Sequence, residues 1–375
     1  MKGVFIVNDK RVLSGEGGIP GKIRNQVKVF NLNDIECKIY ILEDGINNPD
    51  SIIAKIIYMM PFSNILPKWQ YTDKFDNIDF IYFRRPSCFT FSTLRFLRQI
   101  KKMGIRIILE IPTYPYDKEF DSFMLKVLLI RDKVIRNQLR KYVDLITYLG
   151  DEQPSGYIWG IKSIKLFNGI DCSSISVVSP RPHDSINLLC ISSCEYWHGY
   201  ERIIRGLSDY YSLSPEDSVK LHIVGDGPEL NKYKEETKRL NLGDKVVFYG
   251  KLYGKDLDEL YDEMDISIGC LGFHRKKMKV SSELKSRESF AKGLPFAASC
   301  DIDMFLAHPT EFFCRLNSGE DSINISEIVA FYNGLLSQFK TRKDLITNIR
   351  EYADLYFDIN KQFVSVVKFL KEGSV

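Results

Sequence analysis

His222-Ile223-Val224-Gly225-Asp226-Gly227-Pro228-Glu229-Leu230 reads as a strand, a glycine turn and the start of a helix. A short apolar run suits a strand covered on both faces, and Pro fits the first helical turn, where its missing N–H costs nothing. Glycines between a strand and a helix let backbone amides close round a phosphate, although the same features make an ordinary tight turn. The neighbouring sequence repeats the pattern. Strands are expected at 187–192, 220–224, 245–249, 265–269 and 296–299, with helices at 200–211, 230–240, 257–264 and 284–292. Strand and helix alternating in this way imply a parallel sheet with helices on both faces.

The first half follows the same rule. Strands are expected at 4–7, 38–42, 79–83, 106–111, 144–148 and 164–167, with helices at 19–32 and 90–103. Asn168-Gly169-Ile170-Asp171 and the Ser/Pro/Arg stretch after it interrupt the alternation. A chain of 375 residues exceeds what one hydrophobic core commonly supports. The expectation is α/β: two doubly wound, Rossmann-like domains, 1–170 and 171–354, with a helical stretch at 341–370 whose end, about 355–375, packs back on the first domain.

Hydrophobic residues at 44% and charged residues at 27% exclude a disordered or fibrous chain. No apolar run is long enough to cross a bilayer, and the first residues lack a secretory pattern, so a cytoplasmic location is expected. The eight cysteines are scattered without a Cys-x-x-Cys pair and read as reduced thiols, with no metal site. The net charge of +3 hides an asymmetry, because residues 1–171 hold 26 Lys+Arg against 19 Asp+Glu and the remainder is mildly acidic. No nucleic-acid motif accompanies that basic half.

Open parallel sheets bind ligands at the carboxyl ends of their strands. The loop Ser14-Gly15-Glu16-Gly17-Gly18-Ile19-Pro20-Gly21 lacks the spacing and position of a dinucleotide fingerprint, but its glycines suit a phosphate. Near the far end, Leu284-Lys285-Ser286-Arg287-Glu288-Ser289-Phe290-Ala291-Lys292-Gly293-Leu294-Pro295 opens a helix and closes it with Gly-Leu-Pro. Lys285 and Glu288 share one helix face, where they are a ligand pair or a surface salt bridge.

In order, Gly225–Glu229, Val246–Gly250 and Leu284–Pro295 resemble the nucleotide-binding half of family 4 retaining glycosyltransferases, and the likeness extends over essentially the whole chain. Glu110-Ile111-Pro112-Thr113-Tyr114-Pro115-Tyr116 is similar to a bacterial polysaccharide-assembly branch. The resemblance implies the GT-B fold, two Rossmann-like domains facing each other across a cleft, and sugar transfer from a UDP- or GDP-linked donor without a cofactor. It places Glu288 on the donor's ribose, and Gly17 and Gly18 over the diphosphate. It further places His198, where the family usually has Lys, on the diphosphate, and Gly250 and Lys251 at the nucleobase, with Leu284 also in the donor site.

Two family positions depart from the pattern: the first glutamate falls on Val280 and an arginine falls on Ser193. Arg275 and Lys285, near the same strand mouth and helix start, are expected to supply the missing positive charge; the basic run His274-Arg275-Lys276-Lys277 is otherwise a solvated loop. Asp301-Ile302-Asp303 looks like the metal-binding Asp-x-Asp of the other glycosyltransferase fold, but it follows a strand where family 4 has a small acidic loop. Catalysis is therefore expected to be metal-independent.

On the acceptor side, Arg84 and Arg85 follow a strand and suit an acceptor pyrophosphate or an ordinary surface, and Tyr114 is also expected to bind the acceptor. Residues 123–143 read as one basic amphipathic helix, its stripe formed by Met124, Val127, Leu128, Val134, Ile135, Leu139 and Tyr142. Such a helix lies on an anionic membrane or packs in the domain with a solvated basic face. The sequence thus points to a hexosyltransferase-type enzyme that moves a sugar to a hydroxyl of a saccharide, lipid-linked if the helix meets a membrane. The setting would be bacterial surface polysaccharide or capsule synthesis at the inner face of the cell membrane. The alternative is a catalytically silent GT-B subunit that binds saccharide or stabilises a partner glycosyltransferase.

Overall fold

The computed structural model describes residues 1–7, 18–42, 72–117, 123–150 and 155–373. The chain divides into two compact units, Met1–Phe167 with Gln362–Val375, and Asn168–Lys361.

In the first unit, in chain order, come β1 (Lys2–Val7), α1 (Gly18–Leu32), β2 (Glu36–Ile41), β3 (Phe80–Arg84), α2 (Phe91–Lys102) and β4 (Arg106–Ile111). α3 (Phe123–Arg136), β5 (Leu145–Tyr148), β6 (Tyr157–Ile158) and β7 (Ile161–Lys165) follow. The sheet runs β2-β1-β3-β4-β5-β7-β6, parallel except for the β6–β7 hairpin. Successive residues of β1, β3 and β4 are buried regardless of side, as expected of a parallel sheet covered on both faces. α2 starts where the Thr90 hydroxyl accepts the Thr93 backbone N–H at 3.3 Å. The last strand therefore lies earlier than the 164–167 expected, because the preceding hairpin fixes its register.

The expected helix at 123–143 ends at Arg136, followed by a short 3-10 turn at Leu139–Lys141. Its apolar residues do not form one stripe. Leu128, Ile135 and Leu139 are buried, whereas Val127, Ile130 and Val134 are exposed. Polar partners decide which face goes inward. Asp132 accepts the Phe89 backbone N–H at 2.8 Å and the Tyr116 hydroxyl at 2.6 Å, and buried Arg131 donates to the Cys88 thiol.

The second unit contains β8 (Ile186–Ser192), α4 (Glu201–Ser212), β9 (Val219–Gly225), α5 (Leu230–Arg239), β10 (Val246–Gly250) and α6 (Gly254–Tyr261). These are followed by β11 (Ile266–Ile268), β12 (Val280–Ser281), α7 (Leu284–Lys292), β13 (Phe296–Ala298), β14 (Asp301–Ile302), α8 (Asp303–Ala307) and β15 (Phe313–Arg315). α9 (Ile325–Gln338), α10 (Arg342–Tyr356) and α11 (Ile359–Glu372) complete the chain, the last running from the second unit into the first. The main sheet is wholly parallel in the order β10-β9-β8-β11-β13-β15. Counted from β8 this is 3-2-1-4-5-6, the Rossmann order, and the strand order reverses between β8 and β11.

Three details differ from the sequence reading. α6 starts three residues earlier than expected, since extended Tyr253 precedes it and the chain turns after Tyr261 to bury Met264. The stretch expected as one helix at 341–370 is two, because Ile170 bonds the backbone at Phe357 and Ile359 on either side of Asp358. Asp358 then accepts the Asn360 backbone N–H at 2.8 Å and starts a new helix. β12, β14, α8, β15 and α9 had no counterpart in the sequence reading.

Candidate functional site

At the reversal point, the loops that leave β8 and β11 touch. Gly199 has φ +64°, and a Cβ there would stand 2.6 Å from the Gly272 backbone nitrogen. On the other flank, a Cβ at Gly225 would stand 1.7 Å from the Ser192 carbonyl oxygen, and one at Gly227 1.9 Å from that of Ser193. The glycine turn after β9 therefore lets that turn lie directly against the β8 loop. Main chain packed this tightly gives a rigid floor at the carboxyl ends of the strands.

α7 brings Lys285 to this floor. Its Nζ is buried, and no hydrogen-bond acceptor reaches it among the described residues. Burial opposes its charge, but Tyr200, Cys270, Glu283 and Cys190 around it hold its pKa well above the usual lysine range. Lys285 is therefore a cation. Its nearest anion is Glu283, with Nζ to Oε2 at 3.5 Å, and both carboxylate oxygens of Glu283 are themselves buried without a donor among the described residues. Such a pair is poorly compensated, because buried charges need hydrogen bonds as well as opposite sign.

His198 lies beside this pair and is 6% exposed. Burial first, then the charges of Lys285 and Lys276, push its pKa down to about 3. Its Nδ1 accepts the Glu195 backbone N–H at 2.9 Å, so the neutral ring carries its proton on Nε2. Glu288 is exposed on α7, three residues after Lys285. Crowding raises its pKa, and the Lys285 charge works against that rise.

The other expected residues differ in their surroundings. Arg275 is held by Glu201, by Glu320 with Nε to Oε1 at 2.9 Å, and by the Tyr196 carbonyl at 2.5 Å. Its guanidinium secures the loop after β11 against α4 and the Glu320 segment. Leu284 is the first residue of α7 and half-buried. Gly250 ends β10 at φ +67° beside open space, and exposed Lys251 pairs with Asp226 at 3.6 Å. Gly17 lies outside the described residues, and Gly18 opens α1.

In the first unit, Arg84 donates to buried Glu110 at 3.3 Å, and Glu110 also meets Lys22 and Gln26. Arg85 stacks 3.9 Å over the Tyr116 ring and donates to the Pro86 and Ser87 carbonyls. The Tyr114 ring packs on Tyr148. Asp301 accepts from Arg315, and Asp303 accepts from Arg287 and Ser282. No three His, Cys, Asp or Glu side chains among the described residues converge on a metal site. The sequence reading had passed over Glu283, which opens α7 without capping it through its side chain; no local pattern marks such a residue.

Residues 173–270 match the family described as glycosyl transferases group 1. The chain is 31% identical over 111 residues to the alpha-monoglucosyldiacylglycerol synthase of Streptococcus pneumoniae (strain ATCC BAA-255 / R6). That match covers 30% of this chain and spans only 23% of that relative's length. Among solved structures, sucrose-phosphate synthase from Thermosynechococcus elongatus matches at 14% identity and a TM-score of 0.64, over 100% of both chains. Anabaena HepE in complex with UDP matches at 14% identity and 0.60, over 99% of this chain and 100% of that one. A glycosyltransferase from Rickettsia africae ESF-5 matches at 14% identity and 0.59, over 100% and 99%. Full-length likeness at such low identity speaks for the fold, and the chain has the GT-B fold, with two Rossmann-like domains.

Proposed function

We propose that the protein is a glycosyltransferase that moves a sugar from a nucleotide-sugar donor to a hydroxyl acceptor. The observation that carries this reading is the buried Lys285 ammonium, without a hydrogen-bond acceptor among the described residues, at the reversal point of a Rossmann-type sheet. A cation kept there at the expense of stability suits the diphosphate of a nucleotide-sugar. Neutral His198 adds an Nε2–H donor beside it. Glu288, exposed one turn along α7, can accept the ribose hydroxyls, and the resemblance to family 4 assigns Gly250 and Lys251 to the base.

In the reaction, the bond between the anomeric carbon and the phosphate oxygen breaks, and the diphosphate leaves with the electron pair. Lys285 and His198 stabilise the charge that develops on it. The acceptor oxygen bonds to the anomeric carbon and gives up its proton, which the departing phosphate takes. Retention of configuration and the absence of a metal follow the resemblance to family 4. Arg275, expected to assist, is read instead as a structural clamp, because carboxylates and a carbonyl already hold its guanidinium.

The acceptor is proposed to be a lipid-linked saccharide of surface polysaccharide synthesis, held by the first unit. Val127, Ile130 and Val134 form an exposed apolar face on α3, and exposed Lys126 and Lys133 flank it, the composition expected of a helix lying on an anionic membrane. No helix among the described residues is long and apolar enough to cross a membrane.

Calorimetric titration of UDP, GDP and ADP tests the donor reading. One nucleotide should bind wild type, and Lys285→Ala should weaken it at least tenfold. Absence of binding by all three would overturn the reading.

A further inference from the structure

The Glu283 carboxylate has one ion-pair partner among the described residues, Lys285, and accepts no N–H or O–H hydrogen bond there. It occupies the N-cap position of α7, yet its side chain caps nothing. Both of its carboxylate oxygens are buried and lack a donor among the described residues; the nearby Cys270 thiol is a weak donor at best. A buried carboxylate in that condition lowers stability unless something else supplies donors. The fold nevertheless makes room for it. Gly269, just past β11, has no side chain, and a Cβ there would lie 2.8 Å from Glu283 Oε1.

Among the described residues its charge is met by the Lys285 ammonium at 3.5 Å. A diphosphate arriving at Lys285 would take that compensation away, leaving an anion with two unsatisfied oxygens next to the ligand. A ligand carrying hydroxyl groups beyond its diphosphate repairs this, since hydroxyls donate hydrogen bonds to a carboxylate. A ligand that ends in a phosphate makes it worse, because a second negative charge then meets Glu283.

We propose that Glu283 reads the sugar of the donor, accepting hydrogen bonds from its hydroxyls, and that it disfavours the sugar-free nucleotide diphosphate left after transfer. The proposal rests on the donor reading given above and adds to it a residue that separates substrate from product. Lys285 attracts both ligands. Glu283 tells them apart and so assists release of the spent nucleotide.

The test compares two ligands on one variant. Wild type and Glu283→Gln are titrated with UDP, GDP and ADP, and with UDP-glucose, UDP-galactose, GDP-mannose and ADP-glucose, without acceptor. The expected result is a split in sign. Affinity for the matching nucleotide-sugar falls about tenfold or more, while affinity for its nucleotide diphosphate stays the same or rises, because Lys285 loses its competing anion. A residue with a merely structural role would weaken both ligands together, and that outcome, or no change in either, overturns the proposal. Glu283→Asp, which keeps the charge but withdraws it by one methylene, serves if the first variant does not fold; it should also weaken the nucleotide-sugar more than the nucleotide. Wild type that binds no nucleotide would instead remove the donor reading and this proposal with it.

Discussion

The Lys285 ammonium stands 3.5 Å from the Glu283 carboxylate, and neither group has a hydrogen-bond partner among the described residues. Breaking a buried pair on one side strands the other charge, whereas replacing both can be neutral or better. Lys285→Met alone should therefore destabilise the protein by about 1–3 kcal/mol, and Lys285→Met with Glu283→Gln should recover most of that loss. Urea unfolding of the two single variants and the double variant measures the coupling. Additive effects would show that the two groups do not compensate each other.

His198 should remain neutral far below the ordinary imidazole range. Its pKa is lowered to about 3 by burial and then by Lys285 and Lys276, so between about 6.5 and 3 the unfolded chain binds a proton that the folded one does not. The contribution to stability is thus complete above about pH 6.5 and declines as pH falls, by at most about 1.4 kcal/mol per unit. In His198→Gln that part of the slope should vanish from unfolding curves taken between pH 7 and 4. Nitrogen NMR of the wild-type ring should show the proton on Nε2 throughout.

Arg275→Ala should chiefly reduce stability. The side chains of Arg275 and Glu201 are both almost wholly buried, and removing the guanidinium leaves an unpaired carboxylate, a loss of about 3–5 kcal/mol. If the protein is kept folded at low temperature, nucleotide affinity should change less than threefold. A tenfold loss in calorimetry would return Arg275 to the diphosphate.

Gly225→Ala would place a Cβ 1.7 Å from the Ser192 carbonyl oxygen, in a backbone conformation with φ +128°. Strain of this kind costs about 1–3 kcal/mol before any clash, so the melting temperature should drop by several degrees. Because the displaced segment is the β8 loop that carries His198, nucleotide binding should weaken as well. An unaltered melting curve would show that the turn shifts freely.

If α3 meets a membrane, Ile130→Asp should reduce binding to vesicles containing anionic lipid by about tenfold, with little effect on stability. Ile130 is 65% exposed and makes little of the core. Sedimentation with phosphatidylglycerol vesicles, compared with neutral phosphatidylcholine, provides the readout.

Much of the second unit's architecture was legible in the chain, for a local reason. Leu284–Lys292 carries its own start and its Gly293 stop, and each strand of the second unit is an apolar run with turn residues at its ends. Lys285 could be singled out because spacing alone puts it one turn from Glu288. Arg275 looked like an equivalent candidate, since a basic loop near a strand mouth has the same appearance whether its charge is free or paired. Its partners, Glu201 and Glu320, are 74 and 45 residues away. No local pattern reports a partner at that distance.

The sequence by itself determined the alternation of strand and helix, its interruption near Asn168 and the glycines at the strand ends. These depend on neighbours within a few residues, where propensity and steric limits act directly. Tertiary structure alone decided the strand order that sets the reversal between β8 and β11, the inward face of α3 and the break at Asp358. It also decided which charges are left without partners. Burial and pairing arise from segments far apart in the chain, so the pair of Lys285 and Glu283 became visible only when the sheet brought its surroundings together.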